Sequence, residues 1–225
     1  MMLTKSEYEK RKQEVAKYFD AVGWLDRGGC RIVCTNILGN DESMPIDDEL
    51  SKILKANSFI LLYNLIESSI TNSIKAIVNS IKNDGLTYEQ LSKNIKHLWM
   101  KQETRKIKTG SDPIELVSNI AQSIIQRQLL VLRADSINIS GNIDAREIRK
   151  IAGQIGWEVS KDGRELEIIK NKRNSLAHGE FTFSAVGKDF TIKDLISLKE
   201  KTIDYLDDVL SKVETYINNQ KYKKQ

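Results

Sequence analysis

The sequence predicts an all-α protein, a bundle of about six or seven helices in one domain. Three observations predict it. The 225 residues include only 2 prolines and 12 glycines, too few breakers for the many turns of a β-sandwich or barrel. Apolar residues make up 40% and charged residues 29%, the balance of a globular chain rather than a disordered one. Capping signals recur where helices should begin. A chain of this length buries roughly 70% of its extended surface, so it needs no disulfide or metal staple.

The elements follow in order. A first helix is expected over 4–20, with Tyr8, Val15, Tyr18 and Phe19 as a modest apolar face. Residues 21–45 hold Gly23, Gly28, Gly29, Gly39 and Pro45 and form the least regular stretch, in which RIVCTNIL fits a short strand. A long helix over about 46–82 is apolar on most sides around FILLYNLI, as a helix in the middle of a bundle is. Thr87 with Gln90 fits a capping box; Asp144 with Glu147 and Asp162 with Glu165 are close variants. Asp112 before Pro113 reads as an N-cap followed by proline in the first turn. Thr191 with Asp194 opens the last helix, whose stripe is read as Ile196, Ile203, Leu206, Leu210, Val213 and Ile217. Residues 1–44 are thus an N-terminal helix and loop packed on the core, 45–218 the bundle, and 219–225 a polar tail expected to fray.

Lys and Arg number 35 against 31 acidic residues, a net charge of +4 that permits a nucleic-acid partner without demonstrating one. The charged start lacks the apolar core of a signal peptide, and the run Phe59–Leu62 is far short of the ~20 residues that cross a bilayer. With Cys30 and Cys34 as the only thiols, a cytoplasmic chain with no membrane partner is expected. The two cysteines lack the second pair that a closed zinc site needs, and no glycine-rich phosphate loop follows a strand, so no metal and no cofactor are expected.

The most informative stretch is Lys170-Asn-Lys-Arg-Asn-Ser-Leu-Ala-His-Gly179. Gly179 stands where a glycine stops a helix, which puts His178 in the last turn, where unpaired carbonyls favour a cation. Imidazole is the side chain that gives and takes protons near neutral pH. Asn174 and His178 are four apart and share a face; Arg173 is ~140° around from His178 at ~100° per residue. By spacing alone, the pair also fits two polar residues at a helix end.

Beyond the spacing, Arg173-Asn174-Ser175-Leu176-Ala177-His178 matches the Arg-x4-His motif of the HEPN superfamily, polar residue after the arginine included. The stretches SGNIDAREIRKIAGQIG and EIIKNKRNSLAHGE resemble stand-alone HEPN proteins found beside bacterial restriction and defence genes, over roughly 45–218. The resemblance implies a HEPN-like bundle and a metal-independent endoribonuclease. It implies a homodimer in which two Arg-x4-His helices meet across a twofold axis, and a toxin or effector role with an antitoxin or defence-system partner. Arg173, His178 and Asn174 are the catalytic candidates. Glu67 joins them, because an acidic residue on an early HEPN helix approaches the motif; the other reading leaves Glu67 facing water. The RNA-binding candidates are Lys170 and Lys172 beside the motif, and Lys101 and Arg105. The last two lie in HLWMKQETRKIK, where basic groups flank Trp99; a solvated helix end with Trp99 in the core also fits. His97, without a motif around it, is read as structural. The alternative to an enzyme is a catalytically silent HEPN-like module that binds RNA, a nucleotide or a protein. A helical adaptor with an accidental motif is the third reading.

Overall fold

The computed structural model describes residues 2–137 and 142–225. Helix α1 (Met2–Gly23) leads to a hairpin of β1 (Arg31–Thr35) and β2 (Asp41–Pro45), then α2 (Asp48–Asn83), α3 (Lys93–Thr104), α4 (Pro113–Ile125), α5 (Ala145–Ile155), α6 (Glu165–Ala177), α7 (Phe183–Gly187) and α8 (Ile192–Asn218). Short 3-10 turns lie between several of them. The fold is all-α, with one small two-stranded sheet among the described residues. The helices described number eight, against six or seven expected. Five-residue α7, capped by Thr182 accepting from the Ala185 N–H at 3.1 Å, is too short to announce itself by periodicity. The chain divides into two compact units.

One unit holds residues 6–68 and 163–205. In α1, Tyr8, Val15, Phe19 and Val22 are buried, a stripe at steps of seven, four and three. Tyr18 lies beside that stripe; its hydroxyl donates to the Leu54 carbonyl, and burial pushes its phenol up to about 12. The short strand expected in RIVCTNIL is β1. It pairs antiparallel with β2, from Arg31 opposite Pro45 to Thr35 opposite Asp41. The connection is held by the Asn36 side chain, which accepts from the Leu38 and Asn40 N–H groups, each at 3.0 Å. Both strands are exposed along their whole length. The ring of Phe59, in the fourth turn of α2, meets that of Phe190 edge-on at 4.8 Å. Backbone lies on backbone at Gly187, where a Cβ would stand 1.9 Å from the Lys52 carbonyl oxygen.

The other unit holds 69–162 and 206–225 with the first few residues. Asp112 caps α4 as expected, accepting from the Ile114 N–H at 3.0 Å, and Asp144 caps α5 from the Glu147 N–H at 2.9 Å. Ser140 and Gly141, which open the stretch before α5, lie outside the described residues. The Thr87–Gln90 box forms, with Thr87 N–H on Gln90 Oε1 at 2.9 Å, but it closes only a 3-10 turn. Leu91 is extended and α3 starts from Ser92.

Three expectations are corrected. Asp162 does not cap α6; Arg164 stands at its N-cap, and Gly163 at φ +65° turns the chain between Asp162 and the helix. The buried stripe of α8 is Ile192, Leu195, Leu198, Thr202, Tyr205, Leu206, Val209, Leu210, Val213 and Tyr216, while Ile196, Ile203 and Ile217 lie half-exposed. Leu195, Leu198 and Val209, with Thr202, Tyr205 and Tyr216, complete a stripe turned away from Ile196, Ile203 and Ile217. The tail is not frayed. Tyr222 is buried and donates to Asp84 at 2.9 Å; Lys223 pairs with the same carboxylate at 2.8 Å. The Ser92 N–H donates to the Tyr222 carbonyl and the Lys224 N–H to the Gln90 carbonyl, each at 2.8 Å. The hydrogen bonds from Lys223 and Tyr222 hold Asp84 below its ordinary value, and burial with the neighbouring carboxylate pushes Tyr222 up to about 12. Tyr222→Ala is therefore expected to cost about 3 kcal/mol, as for other buried aromatics. Urea denaturation checks it; a loss under about 1 kcal/mol means the tail only rests on the surface.

Candidate active site

Helix α6 places Leu166, Ile169 and Leu176 in the core. Arg173 completes that series, four residues after Ile169 and three before Leu176, so an arginine occupies a core-facing position. Its guanidinium carbon lies 4.3 Å from the centre of the Tyr63 ring of α2, and its Nη1 donates to Asn174 Oδ1 at 3.1 Å. Stacking on a ring covers the face of a guanidinium and leaves its N–H groups to bond in the plane, as Nη1 does to Asn174. Tyr63 itself is fully buried.

The helix ends as the motif's glycine dictates. His178 is the C-cap at φ −91° and Gly179 has φ +69°, a conformation that favours glycine. The Gly179 N–H donates to the Leu176 carbonyl at 3.2 Å and the Glu180 N–H to Ser175 at 2.9 Å, the paired bonds of a Schellman stop. His178 donates its own N–H to the Asn174 carbonyl at 2.9 Å. Its imidazole is exposed. The end of one helix thus presents a seated cation and an open imidazole, with Asn174 between them in sequence.

The other candidates are placed as follows. Lys170 and Lys172 stand on the same helix, both half-buried. Lys172 lies 3.9 Å from the Asp189 carboxylate and 5.5 Å from the centre of the Phe190 ring. Glu67 is half-exposed on α2, one helical turn beyond Tyr63. Lys101 and Arg105 are exposed, on the last turn of α3 and the 3-10 turn after it, in the other compact unit. In that stretch Trp99 is buried, the Lys108 side chain lies outside the described residues, and His97 is exposed. Tyr63 is the site residue that sequence reasoning missed. Its signal was present at both ends: a tyrosine inside the aliphatic run FILLYNLI, and an arginine on the apolar stripe of α6.

Among the described residues, no group of three or more His, Cys, Asp or Glu side chains is arranged to hold a metal ion. Cys30 and Cys34 are free thiols, and the Cys30 sulfur lies 3.0 Å from the Trp24 carbonyl oxygen. Among the described residues no helix is long and apolar enough to cross a membrane.

A helical fold in which Arg-x4-His closes a helix against a long central one is the class that the sequence resemblance implies. The model of a HEPN family, MAE_28990-like HEPN, matches residues 3–222. The chain belongs to the HEPN superfamily. No curated protein and no solved structure matches it.

Proposed function

We propose that the protein is a metal-independent endoribonuclease that works as a twofold dimer, its site composed of two Arg-x4-His helix ends. The observation that supports this reading most is the seating of Arg173 on Tyr63 beside an exposed His178. One imidazole takes the proton of the substrate's 2′-hydroxyl as that oxygen attacks the phosphorus. The other gives a proton to the departing 5′-oxygen. The arginine fork grips phosphate oxygens as charge builds on them, a task for a planar bidentate donor. One protomer has a single motif histidine, so base and acid together call for two. An exposed histidine at a helix end is available to a twofold partner. Asn174, bonded to the guanidinium, positions Arg173. Glu67, Lys170 and Lys172 are assigned supporting roles around the same helix end, and Lys101 and Arg105 a role in holding RNA. A toxin or effector role in bacterial defence, restrained by a partner, rests on the resemblance to HEPN proteins of defence loci.

The test is a labelled RNA digested in excess EDTA. Cleavage is expected to survive chelation, to spare DNA, and to leave a 2′,3′-cyclic phosphate and a 5′-hydroxyl. The attacking oxygen stays on phosphorus, and a tethered nucleophile has a large proximity advantage. Activity that needs added Mg²⁺, or products with 5′-phosphates, overturns the mechanism. Binding without any cleavage points instead to a silent HEPN-like module.

A further inference from the structure

The unit without the motif carries a basic cavity that the proposed chemistry does not use. It has a volume of about 640 Å³, within the range of roughly 300–1,000 Å³ usual for small-ligand sites. Lys93 and Lys96 of α3 form one wall and Lys221, Lys223 and Lys224 of the docked tail another. A second depression, of about 590 Å³, shares Lys93, Asn94 and Lys96 with the first and adds Tyr88, His97 and Lys150. No Asp or Glu side chain stands among the lining residues of either. Lys223 is neutralised by Asp84, and Lys96 packs over the Tyr88 ring at 5.2 Å. Lys93, Lys221 and Lys224 are exposed and line the cavity.

The backbone adds to the same field. The cavity wall includes the N-cap Ser92, whose N–H is taken by the Tyr222 carbonyl, and Lys93 and Asn94 of the first turn of α3, whose N–H groups have no helix carbonyls before them. The hydroxyl oxygen of Ser92 is buried there with no hydrogen-bond partner. Gly156 also lines the cavity, at φ +108°, a conformation that favours glycine, and a Cβ on it would press on the Asn94 amide at 3.1 Å.

We propose that this cavity is a second site, distinct from the Arg173–His178 helix end, that binds a phosphate-bearing anion. Lysines around a concavity at a helix start suit phosphate, because several positive charges and the positive end of the helix act on one anionic group. The phosphates come either from a single-stranded nucleic acid or from a free nucleoside polyphosphate. The two sources share this chemistry.

The test is direct binding, measured by anisotropy of a labelled single-stranded RNA and of a fluorescent ATP analogue. It is done in the His178→Ala background, so the RNA stays intact whether or not the motif is catalytic. The site variant is Lys93→Gln/Lys221→Gln/Lys224→Gln. The control is Lys10→Gln/Lys17→Gln/Lys188→Gln, which removes the same three charges from exposed positions of the other unit. The site variant is expected to bind at least tenfold more weakly, with the control within twofold of the parent. For RNA, the slope of log affinity against log salt should fall by about 2, from three lost phosphate contacts. Loss for the RNA alone identifies a strand as the ligand, loss for the ATP analogue alone a free nucleotide, and loss for both with mutual competition a shared phosphate site. Equal losses in site and control variants, or no binding of either probe by the parent, overturns the proposal. Because binding is read and not cleavage, failure here leaves the ribonuclease reading untouched.

Discussion

Replacing His178 with alanine is expected to lower the rate of RNA cleavage by about 10²–10⁴ while the protein stays folded. The size follows from the loss of a general acid–base group. The fold survives because the imidazole is exposed and the helix stop is made by Gly179 and its neighbours' backbone bonds. Arg173→Ala is expected to fall as far in activity and to lose some stability as well, since the guanidinium covers Tyr63. Arg173→Lys should rescue little, because a point charge replaces the planar fork. Tyr63→Leu tests the seating itself. It keeps an apolar group in the core and removes the ring, and an interaction of about 1–2 kcal/mol corresponds to roughly a tenfold loss. A positioning role places that loss in kcat rather than KM. Near-normal activity of His178→Ala, in a preparation freed of contaminating nuclease, would end the assignment of the site.

The largest stability effect is expected at Gly187. An added Cβ would meet the Lys52 carbonyl oxygen at 1.9 Å and its carbon at 2.6 Å. Both are main-chain atoms of α2, which cannot rotate aside as a side-chain tip can. Either α7 or the start of α2 must move, so Gly187→Ala should cost about 3 kcal/mol or more. In a chain of this size that lowers the melting temperature by roughly 6–12 °C. Gly153→Ala is the matched comparison. Gly153 lies inside α5 with nothing within 4 Å of its Cβ position, so alanine there should gain about 0.5–1 kcal/mol from helix propensity. Two glycine-to-alanine changes thus carry opposite expected signs, and a thermal melt of each decides between them. If Gly187→Ala melts with the parent, the backbone contact between α7 and α2 is not made as described.

The sequence by itself determined the class of fold and the place of the motif. Helix starts at Asp112, Asp144 and Thr191 were legible because a cap is a bond between residues two or three apart. The end of α6 was legible for the same reason, since Gly179 and its Schellman bonds are local. Local signals alone therefore set Arg173, Asn174 and His178 on one helix end. What tertiary structure decided were relations between residues far apart in the chain. Arg173 rests on a ring 110 positions earlier, Gly187 touches the backbone of Lys52, and Tyr222 is buried with its hydroxyl on Asp84. The stripe of α8 includes Tyr205 and Tyr216, because which side of a helix is buried is set by what packs against it and not only by where its aliphatics fall. Local hydrogen bonds fix where helices begin and end, and their geometry is written in neighbouring residues. Packing fixes which faces meet, and that is chosen by the shapes of distant segments, which no short window of sequence contains.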